Sequence, residues 1–138
     1  MKIYFDENTF PQLAYGLQKL QEPLNRAEQE PVEVLYLSDV FGKGAKDEDW
    51  IPELGKAGDV VITHDLNIHR TRSQRELFME HGLGVFFFSP PSKTGFGYWD
   101  LVQQVVKRWD EIKKLSSSKA KRPFAYRYTS KSSKAEPI

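Results

Sequence analysis

Two periodicities alternate along this 138-residue chain. Ile3, Tyr4 and Phe5 form a short apolar run that reads as a buried strand and breaks off in Asp6, Glu7 and Asn8. Leu13, Ala14, Leu17 and Leu20 then recur at helical spacing, with Thr9 suited to cap the helix, Pro11 to its first turn and Pro23 to stop it. The polar, proline-bounded residues 21–31 read as a loop, and VEVLYL (32–37) as a second strand. Residues 38–46, with Gly42 and Gly44, read as a flexible loop. A helix starts near Asp47, with Trp50, Ile51, Leu54 and Ala57 on its apolar face. The uninterrupted run Val60, Val61, Ile62 suits a parallel strand covered on both faces. A third helix is expected over 71–81, and a fourth strand over 85–88 ends in Pro90 and Pro91. A last helix over 98–115 places Trp99, Val102, Val105, Val106, Trp109 and Ile112 on its inner face.

This βα alternation predicts an α/β fold: a three-layer α/β/α domain around a mainly parallel sheet of four to five strands. Strand one belongs near the centre, which would set its terminal acids at a crossover of topology. The domain is read as residues 1–115. From Ser116 the composition turns to Ser and Lys, so 116–138 reads as a basic tail. Within it, residues 124–129 have the alternation of an edge strand that docks on the sheet or meets a partner, and SKSSKAEPI is expected to be disordered.

Composition narrows the chemistry. With no cysteine, disulfides, thiolate zinc sites and cysteine nucleophiles are excluded. No apolar run reaches the roughly 18 residues of a membrane span, and Asp6 and Glu7 interrupt the N-terminal apolar stretch, so a cytoplasmic location is expected. The net charge of +1 hides an asymmetry: residues 116–138 carry six Lys/Arg against one acid. Basic tails of this kind touch nucleic acid or an acidic partner, or simply keep a protein soluble.

Three acidic segments end near one sheet edge: Asp6 and Glu7, then Asp47, Glu48 and Asp49, then Asp65. Acids in a helix's first turn are also what the helix dipole favours, so the middle triplet has an ordinary structural explanation. Converging carboxylates repel unless a cation neutralises them. An oxygen-only donor set suits Mg²⁺ or Mn²⁺, ions that polarise phosphates and activate water.

The segments MKIYFDEN, GAKDEDWI and VVITHDLNI, in this order, resemble the PIN-like domains of VapC-type toxins and related ribonucleases, closest to a compact subgroup opening with a strand and Asp-Glu-Asn. The likeness covers roughly residues 1–90. It implies a metal-dependent endoribonuclease that hydrolyses RNA phosphodiester bonds, the toxin of a toxin–antitoxin pair. An antitoxin segment would lie across the groove, and the fold often forms homodimers. Carried over by position, Asp6, Asp47 and Asp65 are the metal ligands and catalytic acids, with Glu48 and Asp49 able to replace Asp47 in register. Thr63 and His64 flank Asp65, and Asn8 would orient Asp6. Many members of the subgroup carry a second acid where this chain has Asn67, which removes a charge and bears on whether two metals bind. Arg70, Arg72 and Arg75 would hold RNA phosphates or form a solvated helix face. Lys93, Phe96, Tyr98 and Trp99 offer stacking to a base or, more simply, core packing.

Two other readings compete. One is a PIN-like binding module with a weakened site, favoured by Asn67. The other is a receiver-like phosphoacceptor domain, with Ser89 as the hydroxyl after strand four; it requires a fifth strand followed by a lysine, where the sequence suggests a helix and a tail.

Overall fold

The computed structural model describes residues 1–64 and 68–138, the side chains of 68–70 excepted. Strands β1 (Lys2–Phe5), β2 (Glu33–Tyr36), β3 (Val60–His64), β4 (Gly84–Phe88), β5 (Phe124–Tyr128) and β6 (Glu136–Pro137) form one sheet in the order β2-β1-β3-β4-β5-β6. The first five are parallel and β6 is antiparallel to β5. The order around β1 reverses between β2 and β3, so the carboxyl end of β1 opens at a topological switch point, where open α/β sheets collect ligands.

Alternation along the buried strands builds two cores. Ile3, Phe5, Val60, Ile62, Phe86 and Phe88 pack with α1 (Pro11–Asn25) and the later helix Tyr98–Leu115. On the other face, Tyr4, Val61, Val85 and Phe87 pack against α2 (Leu37–Phe41), α3 (Asp47–Ala57) and α4 (Ile68–Glu80); Tyr98–Leu115 is therefore α5. Gly55 brings α3 close to the end of α4: a Cβ there would lie 2.0 Å from the His81 carbonyl oxygen. Among the described residues, no helix is long and apolar enough to cross a membrane.

Several local expectations give way to tertiary context. The Thr9 hydroxyl caps no helix; it donates to the Asp6 carbonyl at 2.8 Å, and Phe10 holds the cap position. Pro23 does not stop α1, which runs on to Asn25. A proline in the last turn forfeits a single helical hydrogen bond, and the continuation lets the Asn25 side chain bridge both backbone groups of Val32 at 2.9 Å. The start of the expected loop 38–46 is instead helical, forming α2. On α5 the inward stripe is Leu101, Val105, Arg108, Trp109 and Ile112, so Trp99 (69% exposed) and Val106 (48%) face outward rather than into the core.

Residues 116–138 are built into the sheet. β5 pairs along its whole length with β4, and Ser132 and Ala135, in the stretch expected to be disordered, are buried. Two side chains of α5 hold this segment. Arg108 donates to the Thr129 carbonyl at 3.0 Å and to that of Ser132 at 2.5 Å, and lies over the Tyr128 ring. The Glu111 carboxylate accepts from the Tyr128 hydroxyl and, at 2.8 Å, from the Ala135 backbone N–H.

Candidate active site

Asp6 is the residue after β1, and its backbone N–H still donates to the Ile62 carbonyl at 3.2 Å, extending the ladder by one position. The carboxylate is thus delivered at the sheet edge by strand geometry rather than by a loop, and it is 6% exposed. Asn8 holds it from below: its backbone N–H donates to Oδ1 at 3.0 Å and its amide to Oδ2 at 3.5 Å. Burial pushes the Asp6 carboxyl up from 3.8 to about 6. The Thr63 hydroxyl and the Asn8 N–H favour the charged form, as does His64, while nearby Asp47 opposes it. A carboxylate so short of solvation is a group that a cation would stabilise.

Asp6 and Asp47 line one polar cavity of about 150 Å³, together with Glu7, Asn8, Trp50 and Gln74. Helix geometry resolves the acidic triplet of α3. Trp50 and Ile51 face the core, which turns Asp47 towards the cavity and leaves Glu48 and Asp49 exposed on the outer surface. Glu7 does a different task from Asp6. Its Oε1 accepts from the Ser38 hydroxyl and the Gly44 N–H, both at 2.7 Å, which ties the segment leading into α3 to the end of β1 and holds the Glu7 carboxyl below its ordinary range.

His64 ends β3, and its Nε2 meets the Asn8 carbonyl oxygen, joining the ends of β1 and β3 beside Asp6. Thr63 is fully buried beneath it. Asp65 and Asn67 lie outside the described residues, as does the side chain of Arg70. Among the described residues, no three His, Cys, Asp or Glu side chains gather as a metal group; of the three acids lining the cavity, Glu7 is tied to Ser38 and Gly44, which leaves Asp6 and Asp47. The all-oxygen donors here, two carboxylates with the Asn8 and Gln74 amides nearby, fit Mg²⁺ or Mn²⁺ in kind.

Gln74 is the lining residue that sequence reasoning missed. It sits among charged positions of α4, a helix with little apolar patterning, and its signal is a place nearly two turns into a helix that follows a strand-end acid. Phe96, Tyr98 and Trp99 lie away from that cavity: Phe96 meets the His64 ring edge-on at 6.1 Å, and Tyr98 stacks on Phe10 at 4.2 Å. A larger cleft, about 380 Å³, lies at the opposite end of the strands beside Lys2, Asp59 and Arg122. There Arg122 directs its donors to the Gly58, Ser116, Ser117 and Ala120 carbonyls, and the Glu30 carboxylate accepts from the Ser118 backbone N–H at 3.0 Å.

The burial of Asp6 has a measurable consequence. Its folded pKa lies above its unfolded one, so the native state holds the extra proton between them. Asp6 therefore costs nothing below the unfolded pKa, and its penalty grows as pH rises through about 6. In EDTA, the stability advantage of Asp6→Asn over wild type should widen between pH 4 and pH 7 by up to about 3 kcal/mol. Urea denaturation of both proteins across that range checks it; a pH-independent difference would refute the burial argument.

An open parallel sheet with carboxylates at its switch-point edge defines an α/β domain with an acidic site. The chain belongs to the PIN-like domain family, whose model matches residues 1–90. PIN-like domains are usually nucleases and typically use divalent metals. No curated protein and no solved structure shows significant similarity to the chain.

Proposed function

We propose that this protein is a metal-dependent endoribonuclease, hydrolysing RNA phosphodiester bonds with Asp6, Asp47 and Asp65 as the acids that hold Mg²⁺ or Mn²⁺. The observation that carries the reading is the buried Asp6 carboxylate, short of solvation and facing the same cavity as Asp47 in a domain of a nuclease family. When bound, the ion would polarise the scissile phosphate and lower the pKa of an attacking water. The chain's own contribution is positioning. Asn8 and Thr63 fix the Asp6 carboxylate, Glu7 fixes the approach to α3, and the His64–Asn8 contact keeps the ends of β1 and β3 in register. A role as the toxin of a toxin–antitoxin pair, with an antitoxin covering the groove, rests on the likeness of the three acidic segments to VapC-type toxins.

One observation bears on the receiver-like alternative. A fifth parallel strand, β5, does exist, and the order β2-β1-β3-β4-β5 is one that doubly wound phosphoacceptor folds share. The first lysine after β5, however, is Lys131, three residues beyond the strand and exposed in the turn closed by the Ser132 N–H on the Thr129 carbonyl. The nuclease reading fits the site better. Purified protein should cleave a mixed RNA pool with Mg²⁺ or Mn²⁺ and stop when EDTA is added. Cleavage that persists in EDTA, or none under any condition, would overturn the reading.

A further inference from the structure

By sequence, Tyr98 and Trp99 suit either the core or contact with a base, and their exposure separates the two. Trp99 is 69% exposed and Tyr98 49%, so neither fills the core. An indole left so open keeps at least one ring face in water. Both residues lie in the first turn of α5. Helices α1 and α5 each begin where the chain leaves a parallel strand, at the carboxyl edge of the sheet that also carries Asp6. Two sets of contacts tie the aromatic rings to that edge. Phe10, directly after the turn that the Thr9 N–H closes on the Asp6 carbonyl at 3.1 Å, stacks on Tyr98 with ring centroids 4.2 Å apart. Such a turn keeps the Cα atoms of Phe10 and Asp6 within roughly 11 Å of each other. Phe96 meets the His64 ring edge-on, and His64 in turn joins the Asn8 carbonyl beside Asp6. Tyr98 and Trp99 meet edge to face at 5.2 Å. They stand at one end of an apolar groove of about 220 Å³ between α1 and α5, with Leu20 and Val106 at the other end.

Unpaired bases stack on exposed aromatic faces for about 1 to 3 kcal/mol each, whatever their identity. A base inside a duplex keeps both faces against its neighbours, so such a platform takes a nucleotide that is out of a helix. The nearest charge fits a base better than a phosphate. Asp100, next to Trp99, folds back on the start of α5, where a Cβ at Gly97 would lie 3.0 Å from its Oδ2. A carboxylate beside the rings repels a phosphate and leaves a neutral base undisturbed. We propose that Trp99, together with the Phe10–Tyr98 stack, holds an unpaired base of the RNA strand whose scissile bond lies at Asp6. The proposal rests on the ribonuclease reading for the identity of the strand, and it narrows the substrate to RNA that is single-stranded beside the cut. The two faces of the sheet then divide the work. The cavity on the α3–α4 side holds the acids, and the starts of α1 and α5 hold the base.

The test is fluorescence anisotropy of the full-length protein with an end-labelled single-stranded oligoadenylate, in EDTA to prevent hydrolysis, over a series of salt concentrations. Trp99→Ala should weaken binding about 5- to 100-fold, the equivalent of one lost stack. The slope of log K against log salt should stay the same, because no phosphate contact is removed. Trp99→Phe should restore most of the affinity. Wild type should bind an abasic ribose-phosphate oligomer of equal length more weakly, and Trp99→Ala should discriminate less between the two. Val106→Ala, about two turns along α5 from Trp99, should bind as wild type does. Unchanged affinity in Trp99→Ala would overturn the proposal, as would an equal loss in Val106→Ala or failure of wild type to bind. Light scattering tests the rival occupant: a wild-type dimer that Trp99→Ala splits, with RNA affinity unchanged, would give the groove to a second copy and overturn the proposal. If wild type cleaves RNA and Trp99→Ala binds as wild type does, the platform fails and the nuclease stands. If Trp99→Ala loses affinity but wild type never cleaves, the platform stands and the nuclease reading fails.

Discussion

Asp6→Asn is expected to lower metal-dependent RNA cleavage by about a thousandfold, the rate equivalent of roughly 4 kcal/mol of lost transition-state stabilisation. The substitution keeps the shape of the side chain: its single amide oxygen can still accept from the Asn8 backbone N–H, and its amide nitrogen can donate to the Thr63 hydroxyl oxygen. What disappears is the charge, the property that a cation at this cavity needs. The fold should survive and even gain, because the buried group no longer has an ionised form to solvate. Asp47→Asn should cut activity in the same way, whereas Glu48→Gln and Asp49→Asn, on the exposed side of α3, should leave it unchanged. Initial rates with Mn²⁺, beside a thermal melt of each protein, read all four. Activity retained in Asp6→Asn would remove the assignment of the site, and activity lost in Glu48→Gln would shift the register of the acid on α3.

A chain ended after Leu115 should fail to fold cooperatively. The cut removes β5 and β6, turning β4 into an edge and uncovering Phe86 and Phe88, against which Tyr128 packs at 6.1 and 5.2 Å. Tyr128 alone is 1% exposed, a burial worth on the order of 2 to 3 kcal/mol. Arg108, 4% exposed, would lose its carbonyl acceptors, and Glu111 its partners on Tyr128 and Ala135. Hydrogen bonds to charged groups such as these are worth about 1.5 to 3 kcal/mol each. These losses together reach the whole stability of a typical domain, about 5 to 15 kcal/mol. Circular dichroism should show no sharp melt; a cooperative transition within a few degrees of the full chain would contradict the argument.

The parts of this protein that were legible in its sequence are those whose signal is local. An apolar run broken by Asp6 states where a strand ends, and α5 was readable to its limits because eighteen residues repeat one pattern. The family likeness picks out Asp47, but the helix pattern alone does not separate it from Glu48 or Asp49, since that choice depends on which way Trp50 packs. Thr9 looked like a cap because its bond to the Asp6 carbonyl is a tertiary fact. Trp99 looked buried because hydrophobicity alone does not say which stripe of a helix meets the sheet. Apart from residues 124–129, whose alternation reads as a docking strand, the segment after Ser116 reads as a tail. Its composition is that of a solvated arm, while what anchors it, Arg108 and Glu111, lies about twenty residues away on α5 and carries charges that no apolar pattern reveals.

The pairing of β4 with β5 also sets a schedule for synthesis. About 34 residues separate the end of the matched region at residue 90 from Phe124, which opens β5. At roughly 5 to 20 residues per second, a ribosome needs about 2 to 7 seconds to make them. Through that interval the apolar edge of β4, with Phe86 and Phe88, has been made but its neighbouring strand has not. The nascent chain thus carries the acids of the proposed site on an unfinished sheet, and a chaperone that favours exposed aromatic strands has its opportunity then.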